Sequence, residues 1–377
     1  MRSTPLRRVF FPVIAVVVGS LVLSVYLQSR RHAPPPTPHV EARLIYRAAD
    51  TILQVRIGGD GDVYVTDSAG GLLTVLSPEG SMLWQYALPE NHGHFTVNSQ
   101  GRVFVTAAPD RLLCVSRGKV IWDKHLFKPV DYVKHVGAKA YAIPVRFSDP
   151  VYANGLVYVA GENRLFAYSE AGERVLTYTC ADEEIRLAEV CVASSGLICL
   201  RETSSRSTGQ TTDWQAISPA GEKMWKLQLE YAKDLVADPL SEPAFVFESG
   251  KVTALDSGQR VQWSIPLDAD IRSFSPDGFA FSTRGIGTGF IDKGGRLVWT
   301  QPESYEKLSA DESGLVFAAE LSSGLIYALD RTGGKRIWHT VVPGDEEGYR
   351  PLLVSLQAHG RRVYLEAGES LYTAGPQ

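Results

Sequence analysis

The sequence predicts an all-β protein, an eight-bladed β-propeller, and three observations predict it. A Gly-x-x-x-Trp phrase recurs along the chain. A second phrase, a turn residue and Gly before an alternating strand, recurs as often. One end of the chain carries a strand that the other end lacks.

The first phrase runs from Gly80 to Trp84, Gly118 to Trp122, Gly221 to Trp225, Gly295 to Trp299 and Gly334 to Trp338. Gly258 to Trp263 carries one extra residue. Gly172 to Leu176 puts Leu in the Trp position, and Ala42 to Tyr46 puts Tyr there. Eight positions result, at Tyr46, Trp84, Trp122, Leu176, Trp225, Trp263, Trp299 and Trp338. The second phrase begins at Asp60-Gly61, Gln100-Gly101, Asn154-Gly155, Ser195-Gly196, Asp277-Gly278, Ser313-Gly314 and His359-Gly360. Ser241-Glu242-Pro243 fills the remaining place without Gly, so this count is also eight.

Each unit reads as four short strands. In the first, Gly61 makes a hairpin turn because it tolerates positive φ. Val63 to Val65 alternate as a half-buried strand, and Leu72 to Leu76 form the next. Ser77-Pro78-Glu79-Gly80 is a turn, and Met82 to Tyr86 close the unit. Four strands in about 40 residues is the arithmetic of a propeller blade. Arg43 to Ala48 precedes the first complete unit. The last unit, with strands near Leu352–Gln357, Arg362–Glu366 and Ser370–Thr373, lacks a Trp-position strand. Pairing the two ends closes the ring and removes its exposed edges. A seven-bladed ring is the alternative, because one degenerate unit changes the count.

Ahead of the propeller (residues 41–377), the sequence divides into a short tail (1–8), a transmembrane anchor (9–27) and a Pro-rich linker (28–40). Val9 to Leu27 is uncharged over 19 residues. At about 1.5 Å per residue it spans roughly 28 Å, near the thickness of a hydrocarbon core. It is longer than a signal-peptide core and has no small-residue cleavage pattern after it. No Cys follows it until Cys114, which excludes a lipoprotein signal at this point. Arg2, Arg7 and Arg8 before the span against Arg30 and Arg31 after it bias the N-terminus to the cytoplasm. Ala33 to Pro38, APPPTP, is a stiff extended spacer. The expectation is a single-pass membrane protein with its propeller on the extracytoplasmic side.

Composition excludes other classes. Hydrophobic residues are 44% and charged residues 21%, which is ordinary globular material. The net charge is -4, and beyond residue 40 it is -9, so a nucleic-acid partner is not expected. Four Cys in 377 residues exclude a disulfide-built scaffold.

Tyr327-Ala328-Leu329-Asp330 through Gly334 to Trp338 resembles the tryptophan-docking motif of the PQQ-like (quinoprotein-type) β-propeller family. Weaker copies start at Ala254, Ala216 and Ala167. The resemblance covers about residues 41–377. It implies that the eight Trp-position side chains pack on the neighbouring blade, with Tyr46 and Leu176 the weaker contacts. The family includes quinone-dependent dehydrogenases and non-catalytic scaffolds of the BamB outer-membrane assembly type. The dehydrogenases carry a vicinal Cys pair and sometimes a C-x-x-C-H haem site. This chain has neither. The resemblance therefore points to the scaffold branch, with a protein partner in the envelope and no cofactor. The alternative is a quinone- or metal-dependent oxidoreductase using the central funnel.

Other residues invite a chemical reading. His92-Gly93-His94 is an H-x-H pair in the loop joining units one and two. Without a third ligand in view, a solvated loop is the simpler reading than a metal site. Cys191 and Cys199 flank the Ser194-Ser195-Gly196 turn and fall opposite each other across the hairpin. A cross-strand disulfide and two apolar-facing thiols are both open, the thiols being less demanding geometrically. Two insertions stand out. Lys128 to Phe147 carries Lys128, Lys134, His135, Lys139 and Arg146, and Arg201 to Asp213 is polar. Insertions on a rigid ring are where recognition concentrates, and the first is suited to an acidic partner. Plain loop variation is the alternative for both.

Overall fold

A computed structural model describes residues 37–376, apart from 68–70, 90–91, 129–132, 137–138, 143–144, 184, 205–210, 231–233, 238–243, 249, 284–285, 322 and 344–352. The candidate span Val9–Leu27 lies outside the described residues. Among them, no helix is long and apolar enough to cross a membrane.

Eight four-stranded antiparallel sheets follow one another around an axis. Blade 1 runs outward from Ile52–Ile57 through Val63–Asp67 and Leu72–Leu76 to Met82–Ala87. Blades 2 to 7 repeat this order. Their first and last strands are His92–Val97 and Lys119–His125; Val151–Ala153 and Arg174–Thr179; Ile185–Val192 and Lys223–Glu230. Then come Asp234–Val236 and Val261–Ile265; Ile271–Ser275 and Leu297–Gln301; Lys307–Ala310 and Arg336–Val341. First strands touch from blade 6 round through blades 7, 8, 1, 2 and 3 to blade 4, which places them around the axis.

Blade 8 closes the ring. Leu353–His359, Arg362–Ala367 and Ser370–Ala374 supply three strands. The outermost strand is Arg43–Arg47, which pairs antiparallel with Ser370–Ala374. The architecture is thus the eight-bladed, all-β ring that the two repeat counts predict, not the seven-bladed alternative.

Every neighbouring pair of blades shares an apolar layer, because strands buried on both faces carry runs such as Val157-Tyr158-Val159-Ala160. Ile45, Val63 and Leu371 join blades 8 and 1, while Tyr64, Leu73 and Val103 join blades 1 and 2. Phe104, Trp122 and Phe166 join blades 2 and 3; Leu165, Leu176 and Ile198 join blades 3 and 4. Trp225 with Val246, Phe245 with Phe279, Trp299 with Leu329, and Trp338 with Leu365 join the others in turn.

One local device repeats in every outer strand. The residue before each Trp position is a β-bulge that has no partner in the ladder. In blades 1, 2 and 3 these are Leu83, Ile121 and Val175, each about half exposed. A bulge adds twist and re-aims the next side chain. In these blades it turns the following residue back toward the neighbouring blade and leaves the apolar bulge residue outside, whereas in blade 8 the bulge residue, Ile45, is itself buried.

Outside the eight blades stands a separate two-stranded hairpin, Val133–Val136 with Lys139–Ala142, between blades 2 and 3.

Candidate functional site

The inter-blade seams come first, because they hold the ring rigid. The Trp122 indole donates to the Glu170 carbonyl of blade 3 at 2.9 Å, and Trp225 donates to Ser257 O of blade 5 at 3.0 Å. Trp263 donates to Lys293 O of blade 6 at 2.8 Å, and Trp299 to Arg331 O of blade 7 at 2.6 Å. Each acceptor lies in the turn before the neighbour's outer strand. The rings of Trp122, Trp263 and Trp299 also lie over a glycine of that turn, Gly172, Gly295 and Gly334. A Cβ built at these glycines would fall 2.5 to 2.8 Å from the indole.

The other four positions differ. Leu176 keeps the contact, its Cδ1 lying 2.8 Å from a Cβ built on Gly221, but it has no donor. Trp84 sits further off, 3.9 Å from the corresponding point on Gly118. Tyr46 shares the register of the slot, yet Ile45 is the residue against Gly80. Trp338 is buried, but its Nε1 has no hydrogen-bond partner among the described residues. The reason is topological. The third and outer strands of blade 8 come from distant parts of the chain, so no turn joins them. Ala42 and Ala374 pack near the Trp338 ring instead.

A second feature lies near the axis, where the innermost strands bring charge together. Arg56 of blade 1 donates to its neighbour Val55 O at 3.1 Å. Burial pulls its guanidinium below the usual value, against the opposing pull of Asp149 and Glu366. Arg272 of blade 6 meets Asp234 of blade 5 at 2.5 Å and lies 3.9 Å from the centre of the Phe247 ring. Within blade 4, Arg201 Nε stands 3.2 Å from Glu189 Oε2. Burial raises the Glu189 carboxyl, and Arg201 partly offsets this. Lys307 of blade 7 acts on Glu366 of blade 8. Cations and carboxylates face each other here, so the surface is polar and partly self-compensated.

Glu366 is 4% exposed and accepts a hydrogen bond from Ser355 Oγ at 2.6 Å. Burial nevertheless raises its carboxyl above the ordinary range, with Ser355, Lys307 and Arg56 opposing. A carboxyl whose folded pKa is raised supports the fold only while protonated, and that support is lost as pH rises. Glu366→Gln should therefore melt above the wild type near pH 8 and converge with it near pH 4. Thermal unfolding at the two pH values checks this. A variant that melts lower at both would mean that Ser355 requires the carboxylate itself.

The H-x-H pair needs correction. His92 and His94 are not in a loop: they begin the innermost strand of blade 2, His92–Val97. Pro89-Glu90-Asn91 before them reads as a turn, which moved the expected strand start too far along. His94 Nε2 stands 3.7 Å from Asp149 Oδ1, and the His92 side chain lies outside the described residues. Among the described residues no three metal-ligating side chains gather.

Cys191 and Cys199 stand directly opposite each other in the first hairpin of blade 4, both as thiols. The hydrogen bond with Cys199, together with burial, pushes the Cys191 thiol well up. Lys134 and His135 lie on the first strand of the extra hairpin and Lys139 on the second, with side chains outside the described residues. Lys128 and Arg146, at its two feet, are exposed. Ser241-Glu242-Pro243 lies outside the described residues.

Sequence reasoning missed the axial charges. Their signal is a charged residue within the inner strands of blades 1, 4, 5, 6 and 7, of a type that changes from blade to blade.

Comparison with known proteins bears on this arrangement. No curated protein sequence is significantly similar to the chain. Similar solved structures include a computationally designed protein, Ika8, with 10% identity and TM-score 0.59, covering 90% of this chain and 100% of that one. BamB from Moraxella catarrhalis shares 13% identity with TM-score 0.55, over 87% of this chain and 98% of that one. Quinohemoprotein alcohol dehydrogenase from Comamonas testosteroni shares 11% identity with TM-score 0.53, over 90% of this chain and 76% of that one. At such identities the likeness is one of fold, and fold does not carry chemistry. The family model described as outer membrane protein assembly factor BamB matches residues 69–340. The chain therefore belongs to the PQQ-like, BamB-type β-propeller family.

Proposed function

We propose that this chain is a membrane-anchored, extracytoplasmic β-propeller that acts as a non-catalytic protein-binding scaffold in the cell envelope. The observation that carries the reading is the hairpin Val133–Val136 with Lys139–Ala142, which no blade absorbs. The insertion around it, residues 128–147, holds three Lys and one Arg against a single Asp. A rigid ring bearing one basic extra element suits recognition of another macromolecule. Family membership supports the same reading, as does the uncharged run Val9–Leu27 ahead of a Pro-rich spacer.

Affinity capture from envelope extract, with the full chain in detergent, tests it. A specific, stoichiometric protein partner is the expected result. A stoichiometric absorption spectrum with added PQQ and calcium, with alcohol- or sugar-dependent dye reduction, would overturn it. Alkaline extraction of membranes checks the anchor: the chain should stay with the lipid.

A further inference from the structure

A cleft of about 310 Å³ opens between blades 3 and 4 at the foot of the insertion. Arg146, Phe147 and Ser148 form one wall as the chain enters blade 3, and Arg186, Leu187 and Thr203 of blade 4 form the other. The floor is held by the backbone: Leu187 N donates to Glu162 O at 2.6 Å across the two blades, and Ser148 N donates to Ala160 O at 2.9 Å. Arg186 is committed to Glu162, its Nε 3.4 Å from Oε2. Arg146 is exposed and has no carboxylate or hydrogen-bond partner among the described residues. Phe147 is packed from behind by Phe127, ring centres 6.3 Å apart, so its ring forms a fixed apolar wall.

We infer that this cleft receives an acidic, extended segment of a protein partner. A carboxylate of that segment would meet Arg146, and a neighbouring apolar side chain would lie against Phe147. Charge complementarity argues for this occupant. The body beyond residue 40 carries -9, yet residues 128–147 carry +3, and this cleft lies where that basic insertion runs into blade 3. A guanidinium with unfilled donors binds a carboxylate in a fixed two-point geometry, and an adjacent ring adds apolar contact. The carboxylate of Glu162, already engaged by Arg186, faces the same space and selects against a second acidic group placed deeper in the cleft. The inference rests on the scaffold reading and names the chemistry of its partner.

The test uses the full chain and a labelled acetyl-hexaglutamate amide, followed by fluorescence anisotropy. Arg146→Glu should weaken binding about tenfold or more, and added salt should weaken wild-type binding. Lys119→Glu, the same charge change on the exposed outer strand of blade 2, should weaken it far less. Equal losses in the two variants would reduce the effect to net charge and overturn the inference. Binding of phosphatidylglycerol vesicles without binding of the peptide would overturn it too. Capture of the same envelope protein, to the same extent, by wild-type and Arg146→Glu chains would overturn this site and leave the scaffold reading standing.

Discussion

Trp299→Ala should cost about 3–5 kcal/mol of stability, and Tyr46→Ala clearly less. Trp299 is 8% exposed, fills the layer between blades 6 and 7 with Phe290, Val316 and Leu329, and donates to Arg331 O. Its removal leaves a cavity that two rigid sheets cannot collapse into, and it orphans a carbonyl in a turn. Tyr46 shares its slot with Ile45, which takes the contact with Gly80, so truncating the phenol ring leaves that contact in place. Denaturant melts of the two variants check the difference. Equal losses would mean that the outer-strand aromatics do not lock the blades.

Gly334→Ala should cost about 2–4 kcal/mol, and about half of this should vanish in a Trp299→Ala background. Two terms add at Gly334. Its φ is +68°, a left-handed conformation that costs a side-chain-bearing residue about 1–2 kcal/mol. A Cβ there would also stand 2.6 Å from the Trp299 ring, closer than real carbon contacts allow. Removing the indole removes the second term and leaves the first. A four-variant cycle measures the coupling directly. Additive losses would show that the ring and the glycine do not press on each other.

These residues also explain what could be read from the sequence. Blade number was legible because the docking turn needs a glycine for backbone reasons and the slot needs a large flat side chain for packing reasons. Both leave a residue type at a fixed place. The eighth sheet was legible from an imbalance of strands, since Arg43–Arg47 finds its strand partner in Ser370–Ala374. The bulge before each slot was not foreseen, although a Gly-x-x-x-Trp spacing with exposed Leu83, Ile121 or Met224 records it. His92 and His94 were misplaced because turn-forming residues precede a strand that begins early. The axial charges and the blade 3–4 cleft were hidden for a different reason. Glu189, Asp234 and Arg272 come from three successive blades and meet only when those blades pack, and Arg56 of blade 1 feels Glu366 of blade 8 only when the ring closes.

Closure is therefore the claim on which the seam between blades 8 and 1 and the complete axial surface depend. Native-state amide hydrogen exchange reads it most directly. In a closed ring the ladder between Arg43–Arg47 and Ser370–Ala374 should exchange as slowly as its counterpart in blade 7, between Leu325–Asp330 and Arg336–Val341. Exchange of Arg43–Arg47 within seconds, while the blade 7 ladder stays protected, would mean that the ends of the propeller are not joined.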